Sequence, residues 1–416
     1  MSAALSHPFA RFLLQLLLIL LVTRAAGWLL RKCGQPAVIG EIGAGIILGP
    51  SVCGAVFPEF NTFLFPKESL GTLGIVSEMG LVLFMFVIGI ELDAAVVRKK
   101  AKQSLVISAA SIALPFAMGT ILSYYLYRSY ATPGAGFTGF ALFMGIAMSI
   151  TAFPVLARIL RERGLDRSRL GILALTCAAA DDVAAWCILA AITAIIKAGG
   201  MAGVGITLLL CVSYVAGMLL LVKPLIRRMI LQTLPDGGMP RHLIPVLLGG
   251  VLTSAWIAQV IGIHSLFGAF LFGLIIPVDW AYRKAFIARV EDVAGVLLLP
   301  VFFVITGLRT QIGALQDGND WLVCILIVVV AVAGKFGGGA LAARSTGENW
   351  KDAFALGALM NTRGLMQLIV LNIGYDLGIL SPAIFTMMII MALVTTAMTG
   401  PALRLIYGQS PPANNV

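Results

Sequence analysis

Long apolar runs separated by short polar clusters fill the chain from end to end. Thirteen such segments fall at about residues 9–30, 36–49, 70–90, 104–127, 137–160, 169–197, 203–225, 242–259, 262–277, 288–308, 321–343, 352–373 and 382–406. A helix needs about 20 apolar residues to cross a bilayer core of about 30 Å. The second and ninth segments are short for this, and their Gly/Pro punctuation suits helices placed inside a bundle. The alternation of a membrane β-barrel is absent. The pattern therefore predicts an all-α polytopic membrane protein with 13 transmembrane helices.

The polar clusters test that count. Twenty lysines and arginines lie in the loops after odd-numbered segments, against four (Lys67, Arg128, Lys197 and Arg309) after even-numbered ones. Basic residues mark cytoplasmic loops, so the N-terminus is expected outside and the C-terminus in the cytoplasm. Residues 50–68 become the longest outside loop, and residues 231–241 a turn-rich cytoplasmic joint. The tail 408–416 reads as disordered.

Two pairs of segments repeat. Leu81–Glu91 and Leu299–Arg309 are both aromatic-rich and end in glycine, an apolar residue and a charge. Ile39–Pro50 and His264–Pro277 are both Gly-rich and end in proline. The pairs are segments 3 with 10 and 2 with 9, an odd offset of seven, which gives the halves opposite orientation. Six helices, a linker and six more make an inverted repeat, a common plan of secondary transporters. The fifth segment, interrupted at Thr151, Ala152, Phe153 and Pro154, should then match the twelfth, interrupted at Asn361, Thr362, Arg363 and Gly364. Interrupted helices in corresponding positions point to a binding site.

Composition narrows the function. The chain is 60% hydrophobic and 12% charged, where a soluble domain carries about 25% charge. The net charge of +10 is topogenic and calls for no nucleic-acid partner. The six cysteines show no CxxC or Cys/His spacing, so neither a disulfide nor a transition-metal site is expected, and no cofactor. Arg11 followed by Phe12–Val22 also resembles a signal-peptide core, but the repeat requires this segment as a helix. His264 opens the ninth segment and suits a polar cap or a pH sensor.

The chemistry concentrates in Asp181-Asp182, mid-segment and far from other charges. An ionisable side chain in hydrocarbon is costly and marks a functional site by default. Successive helical residues point about 100° apart, so the two carboxylates face different partners. Burial favours the neutral form of a carboxylate, and an opposite charge favours the ionised form. One aspartate can pair with Lys335 of the eleventh segment, and the other stays free to bind H⁺ or a small cation. Competition of the two at one carboxylate is antiport. Unwound backbone exposes carbonyls and the partial charges of helix ends; with the Thr151 hydroxyl they can replace a cation's water shell. Lys335 could instead snorkel to the cytoplasmic face. Arg363 braces the second break or approaches the cation. Glu41 pairs with a basic group or lines an ion path, and Glu78 is a packing, funnel or path residue.

These residues carry a resemblance. Ser149–Arg158, Ala180–Trp186, Gly268–Gly273 and Met360–Leu365, in order along nearly the whole chain, resemble the monovalent cation:proton antiporter-2 family. The wording is nearest the plant cation/proton exchangers and their bacterial relatives. The resemblance implies a homodimer and an elevator-like motion. It also implies dimerisation (panel) helices at about 9–49 and 242–277, a linker helix at 203–225, and ion-binding core helices at about 70–197 and 288–406. By the family pattern Asp182 is the ion-carrying carboxylate, Asp181 the partner of Lys335, and Thr151 the threonine of the first crossover. The plant group commonly has Asn where this chain has Asp181; the double aspartate moves it toward electrogenic sodium/proton antiporters. Potassium-efflux relatives carry large cytosolic nucleotide-binding domains, of which residues 1–416 contain none.

The expected function is secondary antiport of Na⁺ or K⁺ (with Li⁺ a further candidate) against H⁺, in a bacterial inner membrane. A channel-like K⁺ efflux protein on the same fold is the alternative. An intramembrane aspartyl protease needs its aspartates on separate helices with a Gly-x-Gly-Asp motif, which is absent, so no enzyme is expected. An organic-anion transporter fits the buried acidic groups poorly.

Overall fold

The computed structural model describes residues 7–91, 101–165, 168–197, 201–232, 243–277 and 282–408. The tail from 409 and most of the joint at 231–241 lie outside the described residues. The chain is helical: α1 Pro8–Lys32, α2 Ala37–Leu48, α3 Cys53–Val56, α4 Pro58–Leu64, α5 Lys67–Glu91, α6 Ala101–Tyr130, α7 Phe137–Ser149, α8 Phe153–Glu162, α9 Arg169–Lys197 and α10 Met201–Gly217. There follow α11 Lys223–Gln232, α12 Leu243–Ile261, α13 Ser265–Leu274, α14 Arg283–Val293, α15 Leu299–Arg309, α16 Gly318–Ser345, α17 Trp350–Met360, α18 Leu365–Asp376 and α19 Pro382–Tyr407.

Eleven described helical stretches are long and apolar enough to cross a membrane, and the pair α17–α18, bent by 42°, makes a twelfth. The short ninth segment is the apolar helix α13. Every apolar segment read from the sequence is thus helical, and the protein is an integral membrane protein. The expected loop at 50–68 differs: it holds α3, which prolongs the short second segment to Val56, and the separate helix α4. Asn61 fixes that turn, its side-chain amide donating to the Leu48 carbonyl at 2.7 Å.

The chain divides into two compact units. One comprises Met1–Phe12, Lys67–Ala94 and Leu189–Ile305. There α5 lies on α13 so closely that a Cβ at Gly89 would sit 2.2 Å from the Phe270 carbonyl, and one at Gly273 2.3 Å from that of Phe86. His264 caps α13, its ring nitrogen accepting from the Leu266 amide; the polar-cap role expected of it is the one found. Ser254 of α12 donates to the Gly268 carbonyl at 2.7 Å.

The other unit comprises Leu13–Pro66, Ala95–Ile188 and Thr306–Val416. Within it α15 meets α2 as α5 meets α13, a Cβ at Gly307 falling 2.3 Å from the Gly45 backbone. Segments 3 and 9 and segments 10 and 2 therefore pack through matching glycines, as the inverted repeat requires. The long helices α6 and α16 also meet closely, Gly334 beside Pro115 and Gly338 beside the Ala110 carbonyl. That approach brings Lys335 to α6. An apolar core of Leu156, Leu160, Leu173, Ala174, Leu356 and Leu359 ties α8, α9 and α17 together.

Candidate functional site

The site lies in the second unit, where two helices break side by side. The first break separates α7 from α8: Ile150 and Ala152 adopt extended backbone. Pro154 stands in the first turn of α8, where a missing N–H breaks no hydrogen bond. The second break follows α17, and Gly364 precedes α18. The breaks bond to each other. The Ala152 amide donates to the Thr362 carbonyl at 3.1 Å, and the Thr151 hydroxyl lies 3.1 Å from the Met360 carbonyl. Gly364 is required by proximity, since a Cβ there would approach a Val155 methyl to 2.6 Å.

Beside the breaks α9 presents Asp181 and Asp182, 0% and 1% exposed. Their surroundings are opposite. Asp181 accepts from Ser108 at 2.5 Å, Ser111 at 3.0 Å and Thr151 at 2.7 Å. It also pairs with Lys335 at 2.8 Å, with both side chains fully buried. Lys335 does not snorkel; its ammonium donates further to the Ser111 hydroxyl and carbonyl, each at 3.0 Å, and to the Ser149 carbonyl. Neither oxygen of Asp182 has a hydrogen-bond partner of normal geometry among the described residues, although the Phe153 amide at the start of α8 is directed toward it. An uncompensated buried carboxylate is expensive, so this one calls for a proton or a cation. Asn361, 4% exposed, likewise leaves its side-chain oxygen unpartnered.

Arg363 is fully buried and reaches across to the other break. Its guanidinium donates to the Ala147 carbonyl at 2.9 Å and the Met148 carbonyl at 2.8 Å. With Lys335 on Ser149, the last three carbonyls of α7 each meet a buried cation. Those groups have no partner within their own helix and carry its negative end. Around Thr362 and Arg363, Thr396 and Thr399 of α19 close the remaining bonds: the Thr396 hydroxyl donates to the Arg363 carbonyl at 2.6 Å, and Thr399 lies 3.1 Å from the Thr362 hydroxyl.

The structure brings together Thr151, Asp181, Asp182, Lys335 and both breaks. Glu41 stands apart from them on α2, with its carboxylate over Gly27 and in the field of Arg158, Arg24 and Arg31. Glu78 is exposed on α5. Sequence reading missed Ser108 and Ser111, whose signal was a stripe of serines on one face of an apolar helix. It also missed Glu348, a buried carboxylate paired with Arg169 at 2.8 Å. Among the described residues no group of three His, Cys, Asp or Glu side chains is placed to hold a metal.

Residues 17–407 match the family described as sodium/hydrogen exchanger, transmembrane. The chain belongs to this family. A Na⁺/H⁺ antiporter of Synechocystis is 41% identical over 95% of the chain and 97% of its own length. Cation/H⁺ antiporter 17 of Arabidopsis thaliana is 40% identical over 97% of the chain but 49% of its own length. A K⁺/H⁺ antiporter of Saccharomyces cerevisiae is 34% identical over 97% of the chain and 47% of its own length. The chain thus spans about half the length of these plant and yeast relatives. Among solved structures, the sodium proton antiporter NhaP1 of Methanocaldococcus jannaschii shares the fold, with a TM-score of 0.72 at 13% identity over 96% of the chain and 98% of its own. Family and fold are those of a transporter rather than of an enzyme.

Proposed function

We propose that the chain is a secondary antiporter exchanging a monovalent cation, Na⁺ or K⁺, for H⁺, and that it has no enzymatic activity. The observation that carries this reading is the inequality of the adjacent aspartates. Asp181 is held by three hydroxyls and Lys335, whereas among the described residues neither Asp182 oxygen has a hydrogen-bond partner of normal geometry. Asp182 binds either a proton or a cation. Thr151 serves the site by holding Asp181, and through Met360 it ties one break to the other. When the Asp181–Lys335 contact opens, Lys335 releases a second proton. Two protons against one cation move one net charge, worth about 2.3 kcal/mol per 100 mV.

The relatives named as Na⁺/H⁺, cation/H⁺ and K⁺/H⁺ antiporters support the exchange and leave the cation a monovalent class. A homodimer with the panel and core helices set out above, an elevator-like motion, a bacterial plasma membrane and an outside N-terminus belong to the same proposal. Purified protein in proteoliposomes, assayed by dequenching with Na⁺, K⁺ and Li⁺ at zero and imposed voltage, tests it. Wild type should exchange at least one of these ions with voltage dependence. Asp182→Asn should abolish exchange, and exchange retained in that variant would sink the assignment.

A further inference from the structure

Resting on the antiport reading, we propose that α6 carries a proton path of its own, running from its Gln103 end through Ser104 and Ser108 to the Asp181–Lys335 pair. The cation binds on the other side of α9, at Asp182. Ser104, Ser108 and Ser111 stand at i, i+4 and i+7, one face of a helix, and are 1%, 3% and 0% exposed. Ser108 and Ser111 donate to Asp181. Among the described residues the buried Ser104 hydroxyl has no hydrogen-bond partner of normal geometry, with the Cys177 thiol beside it.

That orphan stands out because hydroxyls in apolar helices commonly bond their own backbone. Further along α6, Thr120 donates to the Phe116 carbonyl and Ser123 to that of Thr120. Cys177, one turn before Asp181 on α9, closes the side of the column, its thiol 3.7 Å from the Ser104 carbonyl.

At its Gln103 end the column reaches a charged pair. Next to Ser104, Gln103 donates to Glu348 at 2.8 Å, a carboxylate 6% exposed that also meets Arg169. Beyond Ser111 the packing is tight: Gly334 abuts Pro115, and Gly145 abuts Thr120 and Phe116. The charge pattern puts the Gln103 end in the cytoplasm.

Hydroxyls at i and i+4 lie about 5–6 Å apart at Cβ, so one water spans each gap. A proton arriving from the Glu348 end binds the Ser104 oxygen as the Ser104 O–H proton passes on. Ser108 repeats the exchange and passes its O–H proton to Asp181 Oδ1, so that the Asp181–Lys335 pair, with Lys335 neutral, gains one proton. Neither serine changes its net protonation.

Ser104→Val and Ser104→Thr, nearly equal in volume, differ in the hydroxyl. In proteoliposomes two rates are compared: cation/H⁺ exchange by dequenching, and cation/cation exchange with labelled Na⁺ or Rb⁺ at equal pH. Ser104→Val should slow the proton-coupled rate by about tenfold or more and leave cation/cation exchange at the wild-type rate, with Ser104→Thr restoring the first. Proton-coupled exchange at the wild-type rate in Ser104→Val, or equal loss of both rates, would overturn the path. Absence of both rates in the wild type would instead refute the antiport reading.

Discussion

The two breaks stand side by side and have unlike electrostatics. At the first, the carbonyls of Ala147, Met148 and Ser149 meet the cations Arg363 and Lys335. At the second, the carbonyls of Met360 and Thr362 meet only neutral groups, the Thr151 hydroxyl and the Ala152 amide. The inverted repeat thus places a break in each half, while single side chains set the charge. Arg363 serves the break on which it does not reside, so each break is completed by residues of the other.

That comparison can be broken most directly at Arg363. Arg363→Met strips two carbonyls of their donors at about 1–3 kcal/mol each. The purified variant should lose about 2–5 kcal/mol of stability in thermal unfolding in detergent, with Arg363→Lys between it and wild type. Next is the close approach at Gly364. Gly364→Ala should cost about 1–3 kcal/mol by overpacking against Val155, and Val155→Ala in the same chain should recover most of it, read by the same melts. The smallest effect contrasts the threonines. Thr151→Val removes a donor shared by Asp181 and Met360, and should lower exchange by about tenfold, the worth of one buried hydrogen bond. Thr362→Val removes only a threonine contact and should lower exchange by less than about threefold.

Much of this was legible in the chain. The sixth apolar segment, 169–197, is α9, Arg169–Lys197, and the offset of seven anticipated the paired breaks. The sequence placed Lys335 in an apolar run and left it between pairing with an aspartate and snorkelling; its full burial is decided by the structure. Ser108 and Ser111 were not legible, because the same residue types elsewhere, such as Thr193 on Leu189, merely bond their own helix. The reach of Arg363 to Ala147 and Met148 joins residues 216 and 215 apart in sequence, and no local pattern encodes it. Nor did the pattern show that the segment after Leu48 continues through α3 to Val56 and is followed by helix α4, since its phenylalanines and prolines read equally well as an interfacial loop.

The central claim is that proton and cation compete for Asp182. It is tested most directly by the apparent KM for the cation, measured in proteoliposomes over a pH series equal on both sides. Competition predicts a KM that rises by about tenfold for each unit that pH falls, at constant maximal rate, until the carboxylate is ionised throughout and KM levels off. A KM that stays constant while only the maximal rate changes with pH would contradict it.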